Sequence, residues 1–507
     1  MSKEQKKPQE NQNKELSLLL KISASIFVPC FIALIYTSYS SFVVPYSGYG
    51  DEDMSYLDEE NPASLSAGDL THFKWGPNAF AEEAANLSWG LSASFDRGDG
   101  VFERPYKPAL GRDYKGNALG LGPLFNNNSC ESCHVSDGRA KPPEGPHEQI
   151  EGGFVRVSIP GTGPYGKPLT PPGYGHQIAD RAIGDIKPEA TVRIEWIEQS
   201  GTFPDGETYS LRKPNILLTD LAYGPMPDDA TLELRMAPPV FGLGLLEAIP
   251  EQVILDWADP DDLDNDGISG RPNYVWDIER GGKVMGRFSW KANSFDVRQQ
   301  SAEAAFNDMG VNSELFLYHH DDQVNNHKTR QNCKPMQTEC LNAVDGLDFE
   351  LSQDQLVDVT AYLQLLGVIY RRNMDNPKVQ RGEQLFHETG CASCHKSIVT
   401  TGEHEISRLE NQVIRPYSDL LLHDMGEGLS GRRDFLATQQ EWRTPPLWGI
   451  GATEVVNGHT NFLHDGRARN IEEAVLWHGG EAEKVKSNYM NLTKEDRDLL
   501  ILFVDQL

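Results

Sequence analysis

Basic residues are scarce in this chain: 46 Lys and Arg stand against 75 Asp and Glu, a formal net charge of -29. A surface so acidic repels nucleic acid and anionic lipid, which excludes both as expected partners, while a basic donor protein would be steered toward it. Solubility outside the cytoplasm accounts for most of that charge. Long apolar runs are also lacking. The one candidate, 16–44, is broken by Lys21 and softened by Ser and Thr near its end. Its densest part, 22–36, falls short of the ~20 residues of a membrane span, although extension to Val44 reaches that length. Lys3, Lys6, Lys7 and Lys14 precede it and place the N-terminus on the cytoplasmic side. No A-x-A cleavage pattern follows, so residues 1–45 read as a cytoplasmic stub with an uncleaved transmembrane anchor. The body is then expected on the periplasmic side of an inner membrane, the alternative being soluble release after cleavage. Cys30, after Pro29, reads as a buried apolar side chain.

Cysteine is rarer still, 7 in 507 residues. Four of the seven fall in two C-x-x-C-H strings, Cys130-Glu-Ser-Cys133-His134 and Cys391-Ala-Ser-Cys394-His395. Composition alone would produce roughly 0.003 such strings. Two thiols three residues apart reach the two vinyl groups of one porphyrin, and the adjacent histidine falls beneath the ring as an iron ligand. A pair of disulfides or a zinc site would not demand a histidine after the second cysteine in both copies. Two covalently bound haem c groups are therefore expected. Cys333 and Cys340 remain, and a local disulfide between them is the natural pairing in an exported protein. That leaves no exported free thiol, which excludes thiol–disulfide exchange by the protein itself.

The strings divide the chain. Residues 46–66, rich in Ser, Gly, Asp and Glu, read as a linker. A first haem unit spans 67–372, Asp375-Asn-Pro-Lys378 marks a boundary, and a second unit spans 376–507. Gly122-Pro-Leu-Phe125 stands before Cys130 as Gly382-Glu-Gln-Leu-Phe386 stands before Cys391, each with Phe five residues ahead of the cysteine. Each unit closes with an amphipathic helix, 351–366 and 492–507. Ser352 with Gln355 has capping-box spacing, and Thr493 with Asp496 places a cap and an acid in the first turn. The expected fold is mainly α: two cytochrome c-like domains behind one transmembrane or signal segment. The first carries a β- and loop-rich insertion at about 135–285, with strands expected at 154–159 and 191–196. Within it, Asp262-Leu-Asp264-Asn-Asp266-Gly267 has the alternating carboxylates of a calcium loop, although the twelfth position is Asn273 and not Glu.

Further motifs carry a family resemblance. They are Gly286-Arg-Phe-Ser-Trp290, Arg298-Gln-Gln300, Asn307-Asp308-Met309-Gly310, Arg443-Thr-Pro-Pro-Leu447, Phe462-Leu-His464-Asp-Gly-Arg467 and Ile471-Glu-Glu-Ala-Val-Leu-Trp-His478. Together they resemble bacterial di-haem cytochrome c peroxidases and methylamine-utilisation enzymes, and most nearly the branch called di-haem or thiol oxidoreductases, over about 65–507. The resemblance implies reduction of hydrogen peroxide at the N-terminal haem. Electrons would enter at the C-terminal haem from a small donor protein or a membrane electron carrier. It assigns Trp290 to the space between the haems and Gln300 and Asp308 to the peroxide pocket. The family has Glu where this chain has Asp308, and the shorter side chain weakens the match. His478 stands at the family's sixth-ligand position for the second haem, with His423, His459 and His464 as other candidates. His464 is expected to brace that pocket by hydrogen bonds. For the first haem, His147 could block the iron or be a solvated loop residue, and His176 lies on another loop. A non-catalytic electron carrier and haem-based oxidation of another substrate are the competing functions.

Overall fold

Ser88 accepts a hydrogen bond from the Leu91 amide and so starts α1, Trp89–Phe102. The computed structural model describes residues 61–107, 120–316, 333–343 and 349–507. Gly98 sits in the middle of α1 because of what faces it. A Cβ there would run into the Asp358 carbonyl and the Tyr362 Cβ of a later helix. Close approach of two backbones is the reason for a residue that otherwise weakens a helix.

The insertion is a β structure. Strands β1 (Gly153–Thr162), β2 (Thr191–Thr202), β3 (Thr208–Thr219) and β4 (Thr231–Met236) carry it. β1 and β4 pair antiparallel from Gly153↔Met236 to Ser158↔Thr231. Along β1 the side chains alternate: Val155 and Val157 are fully buried in the insertion's own core with Tyr174, Ile178 and Leu234. β2 and β3 form a ribbon from Thr191↔Thr219 to Thr202↔Thr208. Phe203 and Leu211 of this hairpin join the core of the second haem unit.

Asp296 caps α2, Val297–Met309, by accepting from the Gln299 amide, and Gly310 ends it in the left-handed region at φ 65°. Ser352 and Gln355 form a complete capping box at the start of α3, Gln353–Leu365, the helix against which Gly98 packs. The second unit repeats the device. α4 (Pro377–Thr389) ends on Gly390 at φ 105°, directly before Cys391. α5 (Ile471–Trp477) follows, and α6 (Lys494–Asp505) begins at Thr493, which accepts from the Asp496 amide. A Cβ on Gly382 of α4 would run into the Leu499 carbonyl and the Phe503 side chain of α6. Residues 61–66 are packed: Ser66 is fully buried, and Arg371 and Arg415 donate to the Ala63 and Leu65 carbonyls.

Three readings change. The fold is not mainly α, because helices share the described residues with seven sheets of two or three strands. Extended chain is not confined to the insertion; in the second unit Leu422–Asp424 pairs with Glu441–Arg443. The counterpart of Gly382 and Phe386 is Gly98 and Phe102, not Gly122 and Phe125. Phe125 lies in the short strand Leu124–Phe125, paired with Arg181–Ala182, whereas Phe102 contacts Tyr362 as Phe386 contacts Phe503. Residues 103–129 lengthen the path to Cys130 and hide the equivalence. Finally, the transmembrane anchor is unsupported and with it the membrane location: among the described residues no helix is long and apolar enough to cross a membrane. The stretch on which that reading rested, 16–44 with Cys30, lies outside the described residues.

Candidate haem sites

Each C-x-x-C-H string folds into the same turn, with the His134 amide donating to the Cys130 carbonyl and the His395 amide to the Cys391 carbonyl, both at 3.0 Å. The imidazoles are then oriented alike. His134 Nδ1 lies 2.7 Å from the Pro238 carbonyl, and His395 Nδ1 lies 2.8 Å from the Tyr417 carbonyl. A carbonyl can only accept, so each Nδ1 carries the proton and each Nε2 keeps a lone pair for a metal. Burial lowers both imidazoles to about 4, which keeps them neutral as iron ligation requires. The four string thiols are unbridged, whereas Cys333 and Cys340 are bonded to one another.

Each string opens onto a cavity. The first, about 210 Å³, is lined by Cys130, Cys133 and His134 together with Trp290, Gln300 and Asp308. The second, about 190 Å³, is lined by Cys391, Cys394 and His395 together with His423, His464 and His478. Trp290, Arg139 and Arg443 line both and form a shared wall. Trp290 is held there at both ends: its Nε1 donates to the Met236 carbonyl at 2.9 Å and its carbonyl accepts from the Arg443 amide at 3.0 Å.

The expected trio thus meets at the first cavity. Gln300 and Asp308 both ride on α2. Gln300 Oε1 is shielded from solvent and has no hydrogen-bond partner. Asp308 accepts from Gln177 Nε2 at 2.8 Å. Burial pushes its carboxyl up to about 6, against the pull of Arg156 and of the Gln177 hydrogen bond. His147 is exposed and His176 buried, and neither lines this cavity.

Hydrogen bonds separate the four candidate ligand histidines of the second unit. His478 caps the C-terminal end of α5, and its Nδ1 donates to the Ala474 carbonyl at 2.7 Å, which leaves Nε2 as a lone-pair donor. Burial lowers its pKa. His423 lies between Asp419 and Glu481 at 2.9 and 2.8 Å, one carboxylate on each ring nitrogen. Burial opposes its charge, but these partners raise its pKa well above the ordinary value, and with both ring nitrogens engaged neither is free as a lone-pair donor. In His459, Nε2 faces the Arg139 carbonyl and Nδ1 accepts from the Asn461 amide. His464 stacks on Trp442 with ring centroids 3.7 Å apart, and its carbonyl accepts from the Met236 amide. It braces the cavity wall.

Two residues on the shared wall were not singled out by sequence reasoning. Burial lowers Arg139 and Arg443 to about 10. Among the described residues neither has a carboxylate within ion-pair distance: Arg139 donates to the Leu463 carbonyl and Arg443 to the Ser289 carbonyl. One buried and one half-buried guanidinium without an ion-pair partner among the described residues fit the carboxylates of a porphyrin. Arg443 stood in a quoted motif, but nothing in the pattern around Arg139 marks it.

The acidic loop differs from its expected ligand set. Carboxylate oxygens of Asp259, Asp262 and Asp264 lie within 4.8 Å of one another, while Asp266 accepts from the Ile268 amide. Asn273, at the twelfth position, turns into the core and donates to the Lys291 and Asp434 carbonyls.

No curated protein matches the chain. A solved structure of hydrazine synthase from Kuenenia stuttgartiensis, pressurised with xenon, aligns at 12% identity, covering 88% of this chain and 100% of that one with a TM-score of 0.30. A score that low carries no argument. The family described as "Di-haem oxidoreductase, putative peroxidase" matches residues 61–507, and with its two haem strings, two cavities and shared tryptophan wall the chain belongs to that family.

Proposed function

We propose that this di-haem oxidoreductase is a peroxidase, reducing hydrogen peroxide at the first cavity with electrons that enter at the second from a small donor protein. The difference between the two cavities carries the reading. The second offers His478 with a free Nε2, while the first offers an unpartnered amide oxygen and a buried carboxyl. An iron held between two imidazoles transfers electrons but is closed to ligands; an iron facing an amide and an acid is open to them.

Cys130, Cys133 and His134 would hold one haem, the thiols by thioether bonds and the imidazole through iron, and Cys391, Cys394 and His395 would hold the other. Arg139 and Arg443 would face the porphyrin carboxylates. Bound haem supplies the electrons that break the O–O bond. Asp308, with a pKa of about 6, can both accept and return a proton near neutral pH. Gln177 fixes the orientation of that carboxylate. Gln300 Oε1 accepts a hydrogen bond from a hydroxyl placed in the cavity, and Trp290 spans the wall between donor and acceptor. In balance, one peroxide takes up two electrons and two protons and leaves as two waters.

Optical spectroscopy of the purified holoprotein tests this. Two haems should remain attached after denaturation, and Cys391→Ala with Cys394→Ala should remove one. On reduction, one haem should bind carbon monoxide and react with peroxide while the other stays low-spin. Two unreactive low-spin haems would sink the peroxidase reading and leave an electron carrier.

A further inference from the structure

Strand β1 adds to the first cavity a cation that the second cavity does not share. Val155 and Val157 point into the insertion's core, so alternation turns Phe154 and Arg156 to the opposite face, where both line the first cavity. The Arg156 guanidinium lies over the Phe154 ring at 4.8 Å, and its Nε is shielded from solvent without a hydrogen-bond partner. The carboxylates nearby are already engaged. Asp434 pairs with Arg235 at 2.7 Å and Arg432 at 2.6 Å, and Glu233 pairs with Arg235. Asp308 takes the Gln177 amide and makes no ion pair. Arg235 and Arg432 thus take up Glu233 and Asp434, while Arg156 feels Asp434 and Asp308 only at a distance and makes no ion pair among the described residues. An unpaired guanidinium held in a cavity by an aromatic face is an anion site in search of its anion.

Arg139 and Arg443 differ from it in place. They line both cavities, where porphyrin carboxylates complement them, whereas Arg156 lines the first alone, on the wall that bears Asp308. We propose that Arg156 makes the first cavity selective for small anionic ligands of the iron, so that the inserted β domain, and not the haem unit, sets what binds there. This rests on the first haem being the one open to ligands. It extends to substrate class: the conjugate base of hydrogen peroxide and small oxyanions are favoured over neutral molecules of the same size.

Ligand titrations of the holoprotein distinguish the possibilities. The ferric protein is titrated with azide and with fluoride, and the reduced protein with carbon monoxide, which is neutral. Arg156→Leu should weaken both anions by roughly 10- to 100-fold, the range of a lost charge-assisted hydrogen bond. Carbon monoxide affinity should stay within about twofold, and Arg156→Lys should recover part of the anion affinity. Haem content and the reduced spectrum of each variant establish that the cavity has formed. Unchanged azide and fluoride affinity in Arg156→Leu overturns the proposal, as does an equal loss for carbon monoxide, which would mark a structural residue or a porphyrin anchor. If the wild-type protein binds neither anion nor carbon monoxide, the peroxidase reading falls as well.

Discussion

In each half of the molecule a glycine lets two helices touch. Gly98 brings α1 onto α3 and Gly382 brings α4 onto α6, and four residues later Phe102 and Phe386 stand 6.2 and 6.3 Å from His134 and His395. Up to the proximal imidazole the halves are built alike. Beyond it they part. The second half closes its cavity with its own His478 at the end of α5, apart from the wall of Trp290 and Arg139 that both cavities share. The first half takes Phe154 and Arg156 from the insertion and holds Asp308 with the insertion's Gln177. The two halves thus share the turn that orients the histidine and differ in the cavity wall, to which Phe154 and Arg156 of the insertion contribute in the first half alone.

The sharpest way to break this contrast is at Asp308. Asp308→Asn should slow peroxide turnover by roughly 10²- to 10⁴-fold, read as kcat, with both haem potentials nearly unmoved. The same residue gives a pH signature. Its folded pKa of about 6 lies above the unfolded carboxylate value of about 4. The folded state therefore holds a proton that the unfolded chain releases, and this stabilisation is full below about pH 4 and lost as pH rises through about 6. Denaturation midpoints of Asp308→Asn against pH should lack that slope. An unchanged kcat would remove the assignment of acid–base work to the first cavity.

Next in size is His478. His478→Met should raise the second haem's potential by part of the roughly 0.8 V that axial ligands span, and His478→Gly should open that iron to added imidazole. The first haem's spectrum should not change in either variant. Redox titration decides it, and two unmoved spectra would exclude His478 as a ligand.

The likeness of the halves can be tested as well as their difference. Gly98→Ala and Gly382→Ala force a methyl into a helix crossing, and each should cost about 1–3 kcal/mol in urea denaturation. A Gly122→Ala variant does not report on this crossing, since its Cβ would meet Gly310 instead. Should Gly98→Ala be neutral and Gly382→Ala costly, the two crossings are not equivalent. Smallest are the caps: Ser352→Ala and Thr493→Ala should each lose about 1 kcal/mol, measured in the same way.

What could be read in advance follows the range of each interaction. The Ser352 and Thr493 caps and the haem turns span three or four residues, and their patterns are complete in the sequence. The pairing of Gly98 with Gly382 was obscured because 27 residues, 103–129, separate Phe102 from Cys130, against four between Phe386 and Cys391. Choosing among His423, His459, His464 and His478 required knowing what each ring nitrogen touches, and Glu481 reaches His423 from 58 positions away. Arg156 looks like any strand arginine until the register of β1 with β4 turns it to the cavity. The mainly α reading failed for a related reason: short extended segments such as Leu422–Asp424 exist by pairing with chain that arrives later.

The β2–β3 hairpin has a consequence for the order of assembly. Its tip holds the end of the chain, with Arg497 bound to Asp205 at 2.9 Å and to Glu207 at 2.7 Å, a sequence separation of 292 for the first pair. Contacts that close loops of such length form late, after their entropy cost has been met by more local structure. During synthesis the hairpin emerges when α6 does not yet exist, so its acidic tip waits, solvated, for almost the whole remaining chain. α6 is also the helix on which Gly382 packs, so α4 can settle only once α6 has been made. A chain truncated before Arg497 should therefore fail to form the packing of α4 on α6, seen as loss of haem from the Cys391–His395 string.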